Sequence, residues 1–232
     1  SPMNIGSWLL FLFIFASLLY ALSFLPRSPA IRDRLDGVRK FLAWVCAPLG
    51  IGVAVYTGIM LGAMPSRPFW NSPILALLFL VSSISTGIAI ILLTQALLYR
   101  APADDPEATK LLHRSAYLLT ATDIFMIGLE LMVIFLFVMF AHLTIGNVKY
   151  AVSVILPGGS LAGLFWLWVV LIGLLIPALI ELVFVIPRLL YHRDYAAPRV
   201  VEIGVSIAVL IGGFMLRYVV VVAGQITGPV GL

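Results

Sequence analysis

This sequence has little charge, almost no imidazole and a single thiol, and each shortage removes a class of chemistry. With Cys46 as its one cysteine there is no intrachain disulfide, no CxxC pair and no set of thiolates for an iron-sulfur cluster, so Cys46 reads as a packing residue. The three histidines, His113, His142 and His192, are too scattered to put a pair at one depth around a haem iron. No HExxH, phosphate loop, dinucleotide fingerprint or nucleophile elbow occurs. The chain is therefore expected to carry no haem, metal or redox centre of its own. Charged residues make up 10% and hydrophobic ones 62%, against roughly 25% charged in an ordinary soluble domain. That is the composition of a membrane protein. The net charge of +4 implies no nucleic-acid partner, because the basic residues lie in short connections between apolar runs, where membrane topology accounts for them.

Six apolar stretches, at about 4–25, 41–64, 73–99, 117–143, 161–186 and 200–226, are each long enough to cross a hydrocarbon core of ~30 Å. The expected fold class is all-α: a polytopic transmembrane helix bundle with six spans, forming a single domain over residues 1–232. The connections are read as Pro26 to Lys40, Pro65 to Ser72, Arg100 to Ala116, Thr144 to Ser160 and Pro187 to Arg199. The first, third and fifth hold five, three and three Lys or Arg residues, whereas the second and fourth hold only Arg67 and Lys149. The excess of positive charge marks the cytoplasmic side and places both ends of this chain outside. The chain opens on Ser1 with neither a basic leader nor a cleavage pattern, so its beginning is expected to be trimmed.

The run from Tyr117 to Leu143 carries Asp123 and Glu130. Seven residues make two helical turns, so both carboxyls share one face, about 10 Å apart along the axis. Neither is tolerated against lipid, where each costs ~2.5–3.5 kcal/mol at the centre of a span. They must face protein or water. Glu181 in the fifth span falls at a depth similar to Asp123, and Ser82, Ser83, Ser85 and Thr86 in the third fall near Glu130. Those hydroxyls either bond back to their own helix or line a polar interior. Arg217, in the outer part of the sixth span, has to snorkel, pair with an acid or hold an anionic or carbonyl-bearing ligand. Tyr56 lies a little outward of the middle of the second span, where its hydroxyl needs a partner. Trp8, Phe69, Trp70, Tyr150, Trp166 and Trp168 gather on the outer rim, and interfacial belts account for most of them.

Carboxyls withdrawn from water serve equally as proton-exchange groups and as partners in interhelical ion pairs. Asp123 and Glu181 low, Glu130 midway, and Arg217, His142 and Tyr56 higher form either a proton ladder or a structural network. Spacing alone leaves both open.

Several local sequences favour the first. Ser1-Pro2-Met3 with Gly6-Ser7-Trp8, Tyr56-Thr57-Gly58 with Leu61-Gly62, the run from Arg67 to Pro73 leading into Ser85-Thr86-Gly87, and Gly212-Gly213-Phe214-Met215-Leu216-Arg217-Tyr218 through Gln225 together resemble the NrfD-type membrane subunit family, that of the polysulfide reductase membrane anchor. The resemblance implies a bacterial inner-membrane subunit that binds a quinone or quinol, menaquinone or ubiquinone, as an exchangeable substrate. It also implies an iron-sulfur subunit docked on the outer face, with a molybdopterin catalytic subunit or cytochromes beyond it. The family usually has eight spans, with the SPM-like segment after the second, so this chain is expected to lack the first two. Carried over by position, Tyr56 is the expected hydrogen-bond donor to a quinone carbonyl. Arg67, His142 and Arg217 are the other quinone-side candidates, and Asp123, Glu130 and Glu181 the proton-transfer candidates. Two other classes fit the same residues: a proton-coupled secondary transporter with a cation or solute among the acids, and a purely structural anchor.

Overall fold

The computed structural model describes residues 2–25, 29–99, 106–144, 146–191 and 197–228. Backbone in hydrocarbon finds no water to bond, so each long apolar run closes its own hydrogen bonds as a helix. Helix α1 spans Pro2–Leu22, α2 Pro29–Gly62, α3 Ile74–Leu98, α4 Pro106–Leu143 and the short α5 Asn147–Ser153. A π-helical stretch, Leu164–Leu175, runs on into α6, Ile176–Tyr191, and α7 spans Arg199–Ile226. Six units are long and apolar enough to cross a membrane. The all-α, six-span expectation holds.

The ends differ from the sequence reading. Residues 34–40 and 107–116 were expected in connections, but they belong to the first turns of α2 and α4. Lys, Arg, Leu and Glu are good helix formers, and a helix already nucleated in the membrane extends through them at little cost. For the same reason α6 continues past Pro187 to Tyr191, and α5 occupies part of the fourth connection. Arg27, Arg100, Asp104, Asp105, His192 and Arg193 lie outside the described residues.

Helix α3 is the hub: it packs on α2, α4 and α7, while α7 also packs on the π-helical stretch and α4 on α6. Only 11% and 6% of the apolar windows of α1 and α2 are buried, against 44% for α3 and for α7. The interior is therefore built by α3, α4, α6 with its π-helical lead, and α7, and the α1–α2 hairpin is appended through α3.

Small residues set the closest crossings. A Cβ on Gly173 or on Gly212 would run into the backbone of the other, and a Cβ on Gly58 would run into Ala76 of α3. Such contacts are how membrane helices gain packing without a hydrophobic driving force. The π-helical stretch ends against Pro177, which has no N–H to give; Ile176 N–H reaches the Leu171 carbonyl, the wider i to i−5 bond.

The connection between α2 and α3 is clamped onto the end of α7. Trp70 Nε1 donates to the Val220 carbonyl at 2.8 Å, and its indole fills the space beside Gly224. Arg67 donates to the Gly224 and Gln225 carbonyls at 3.4 and 2.8 Å, which places a cation at the negative end of a helix. Phe69 packs edge-on against Phe137 of α4, with centroids 5.5 Å apart. Phe69 and Trp70 are thus buried tertiary contacts, whereas Trp8 and Tyr150 are exposed as rim residues are expected to be. At the basic face Arg39 closes the α1–α2 turn through Asp36, the Ser23 carbonyl and the Phe24 ring.

Candidate functional site: a buried carboxyl track

The inward stripe of α4 runs Ala116, Thr120, Asp123, Ile127, Glu130, Ile134, Phe137 and Ala141, all buried, at spacings of three and four. That is the helical repeat which sends one face into a core. It carries the two carboxyls inside at 1% and 2% exposure, on the shared face that their spacing requires.

Helix α3 answers with its own inward stripe. Ser82 and Ser85, one turn apart, are both buried. Ser85 Oγ donates to Asp123 Oδ1 at 2.7 Å, and the Ser82 hydroxyl bonds the Glu130 carboxyl. The other two hydroxyls do what the local alternative describes: Ser83 bonds the Leu80 carbonyl, and Thr86 the Ser82 and Ser83 carbonyls. The cluster is thus divided by helical phase, with Ser82 and Ser85 facing α4.

Arg217 enters from α7. One guanidinium nitrogen donates to the Gly213 carbonyl of its own helix at 2.8 Å and reaches Ser82 Oγ at 3.4 Å, and the group lies 6.0 Å from the Phe79 ring centroid. Its charge acts on Glu130 across Ser82, which makes a short series of Arg217, Ser82 and Glu130. The arginine turns toward the acid without forming a direct ion pair with it, Ser82 standing between them. Below this series Asp123 is electrostatically coupled both to Glu130 and to Glu181 of α6, which is 4% exposed. Asp123 Oδ2 and Glu181 Oε2 are buried without a hydrogen-bond partner among the described residues. A track of ionisable groups therefore runs from Glu181 through Asp123 and Glu130 to Arg217, inside the part of the bundle sealed from lipid.

The remaining sequence candidates stand elsewhere. Tyr56 packs its ring over Gly6 of α1, on the opposite face of α2 from Gly58, which meets α3; its hydroxyl makes no hydrogen bond to another described residue. A cleft of about 520 Å³ lies on the Gly58 face, between α2 and α3, lined by Gly58, Gly62, Asn71, Ser72 and Ala76 among others and not by Tyr56. Arg67 is engaged on the end of α7, and His142 is exposed at the end of α4. The structure brings Asp123, Glu130, Glu181 and Arg217 together, and it leaves Tyr56, Arg67 and His142 outside that group. Sequence reading did not single out Thr120 and Ser206 beside Glu181; the signals were present, since Thr120 precedes Asp123 by three positions and Ser206 follows Glu202 by four. Among the described residues no three His, Cys, Asp or Glu side chains converge as a metal centre of that kind would need.

Residues 1–229 match the family model described as "Polysulphide reductase, NrfD". The protein is 33% identical over 193 residues to "Protein NrfD" of Escherichia coli, covering 83% of this chain and 55% of that protein. It is 32% identical over 210 residues to "Protein NrfD homolog" of Haemophilus influenzae, covering 89% and 58%. It is 34% identical over 177 residues to the C subunit of polysulfide reductase from Wolinella succinogenes, covering 76% and 51%. The sequence thus spans about half the length of the curated relatives it matches. No solved structure matches it.

Proposed function

The chain belongs to the NrfD family, and on that premise we propose that it is a quinone-interacting integral subunit of a respiratory oxidoreductase complex in the bacterial inner membrane. The observation that carries the reading is the buried track of Glu181, Asp123 and Glu130 leading to Arg217, which a lipid-soluble two-electron carrier with proton demand would use. A quinol, menaquinol or ubiquinol, gives its electrons to an iron-sulfur partner on the outer face and its protons to that face or to the track; the reverse reaction uses the same groups. A molybdopterin or cytochrome subunit lies beyond the partner. The basic face is cytoplasmic and both ends of this chain are outside.

Tyr56 is the proposed donor to a quinone carbonyl, because its hydroxyl, in the region between α1 and α2, is uncommitted among the described residues. Arg67, His142 and Arg217 lie on the same half of the membrane and orient the outer end of that region. The test is made on the complex purified in mild detergent. An iron-sulfur partner and bound quinone are expected to co-purify, and Tyr56→Phe is expected to lower quinol turnover about tenfold while subunit content holds, roughly the value of one hydrogen bond to substrate. Unchanged turnover and unchanged inhibitor affinity would remove Tyr56 from the site. Glu130→Gln tests the track: wild-type proton release on both sides would make Glu130 structural. A complex that co-purifies intact without quinone supports the structural-anchor reading instead.

A further inference from the structure

Hydroxyls in the spans fall into two groups. Those of Ser83, Thr86, Thr94 and Thr122 bond carbonyls of their own helix, which is how a hydroxyl in hydrocarbon is ordinarily satisfied. Ser206 on α7 departs from that pattern: it is 1% exposed, and its Oγ has no partner among the described residues. Glu181 Oε2 on α6, in a side chain 4% exposed, stands in the same position. Both residues border one cavity of about 20 Å³ enclosed by α3, α4, α6 and α7. Thr120 and Glu202 complete its polar lining and have partners of their own, and no lysine, arginine or histidine is among the lining residues.

A polar void takes up a water once it offers roughly 10–15 Å³ and two or more partners; this one offers about 20 Å³, a carboxyl oxygen and a hydroxyl. One water fits and satisfies both. Burial with no facing cation keeps Glu181 neutral, so its carboxyl has a proton to give and an oxygen to accept with, and the water and the serine hydroxyl each do either. Glu202 provides the outlet. It lies in the first turn of α7, half-buried at the basic face and one turn before Ser206. At the other end the polar series stops: outward of Glu130 the α4 stripe continues as Ile134, Phe137 and Ala141, and outward of Arg217 α7 buries Val220 and Ala223.

We propose that one water held between Glu181 and Ser206 is the opening of the carboxyl track to the basic face, with Ser206 as the residue that positions it. The inference rests on the proton role proposed for that track and names the side with which it exchanges. Glu181 passes its proton to Asp123; the water then reprotonates Glu181 and takes a proton in turn from the Glu202 side, ending as water. The void holds no net charge before or after. Run backwards, the same steps release a proton to the same face.

The experiment uses the full chain in its native complex, reconstituted in lipid vesicles, and follows the infrared C=O stretch of protonated carboxyls after rapid exchange from H₂O into D₂O. Glu181→Gln identifies the Glu181 band by its loss. Ser206→Val puts a methyl group in the place of the water and is expected to slow deuteration of that band about tenfold or more. Ala197→Val narrows the cavity from an apolar wall with the serine intact, and it is expected to slow the exchange as well. It decides the matter if the serine variant fails to assemble. Thr122→Val, on the exposed side of α4, is expected to exchange at the parent rate. Parent-like exchange in every cavity variant that assembles, equal slowing in Thr122→Val, or no band lost in Glu181→Gln would overturn the opening. Slowed exchange in a complex that binds no quinone keeps the opening and removes the quinone role, whereas normal quinone binding with unslowed exchange removes the opening alone.

Discussion

Adding one methyl group at Gly212 distinguishes a backbone-limited crossing from a merely glycine-rich one. A Cβ there would be driven into the Gly173 backbone, and neither partner is the end of a side chain that can swing aside. The π-helical stretch and α7 must part to admit it. Overpacking of this kind costs ~1–3 kcal/mol, partly offset by the ~1 kcal/mol of helix propensity that alanine gains over glycine. Gly212→Ala is therefore expected to lose up to about 2 kcal/mol net. Gly87, Gly128 and Gly204 provide the internal control, because a Cβ at any of them meets nothing within 4 Å. Alanine at those three is expected to be neutral or to stabilise by up to ~1 kcal/mol. Reversible unfolding in mixed micelles with rising SDS, followed by circular dichroism, measures all four against the parent. The opposite signs make the comparison robust to errors in either magnitude. A Gly212→Ala value inside the range of the controls would refute the claim that this crossing is set by backbone contact.

Two further tests probe the interior and the rim. A double-mutant cycle of Ser85→Ala and Asp123→Leu is expected to give a coupling of about 0.6–1.7 kcal/mol, the range for interhelical hydrogen bonds in membranes; strictly additive losses would mean that the Ser85–Asp123 bond contributes nothing. Trp70→Phe keeps a ring beside Gly224 but orphans the buried Val220 carbonyl, so it is expected to cost about 1–2 kcal/mol, and Arg67→Gln about 0.3–1 kcal/mol. Proteolysis of the connection between α2 and α3 ranks the two, and the reverse order would argue that Arg67 carries the contact.

Much of this was legible in the sequence because hydrocarbon leaves the chain few choices. Run length gave the six spans, and the seven-residue separation of Asp123 and Glu130 put both on the stripe that proved buried. The depth argument set Ser82 to Thr86 near the level of Glu130; the structure pairs Ser82 with Glu130 and Ser85 with Asp123, helical phase deciding which hydroxyls face inward. What escaped is what apolar uniformity conceals. Leu164–Leu175 is so evenly apolar that no periodicity betrays its wider turn, and Pro177 was the one mark of it. Phe69 and Trp70 read as rim aromatics because composition cannot tell a belt from a clasp; the deciding partners, Val220, Gly224 and Phe137, lie far along the chain. Charge alternation and span counting assign Tyr56, Arg67 and Arg217 to one half of the bundle, but spacing does not say which side of a helix faces which neighbour. The structure separates Tyr56, over Gly6, from Arg217, beside Ser82.

The bonds that fasten Arg67 and Trp70 to the last turns of α7 join positions 157 and 150 residues apart in the chain. During synthesis the ribosome has released the second and third helices long before the seventh exists, and non-local partners are the last to be matched. One rim of the molecule therefore stays unlatched until biogenesis is nearly complete. Any subunit that recognises that rim in its latched form is thereby matched to finished copies and passes over half-made ones.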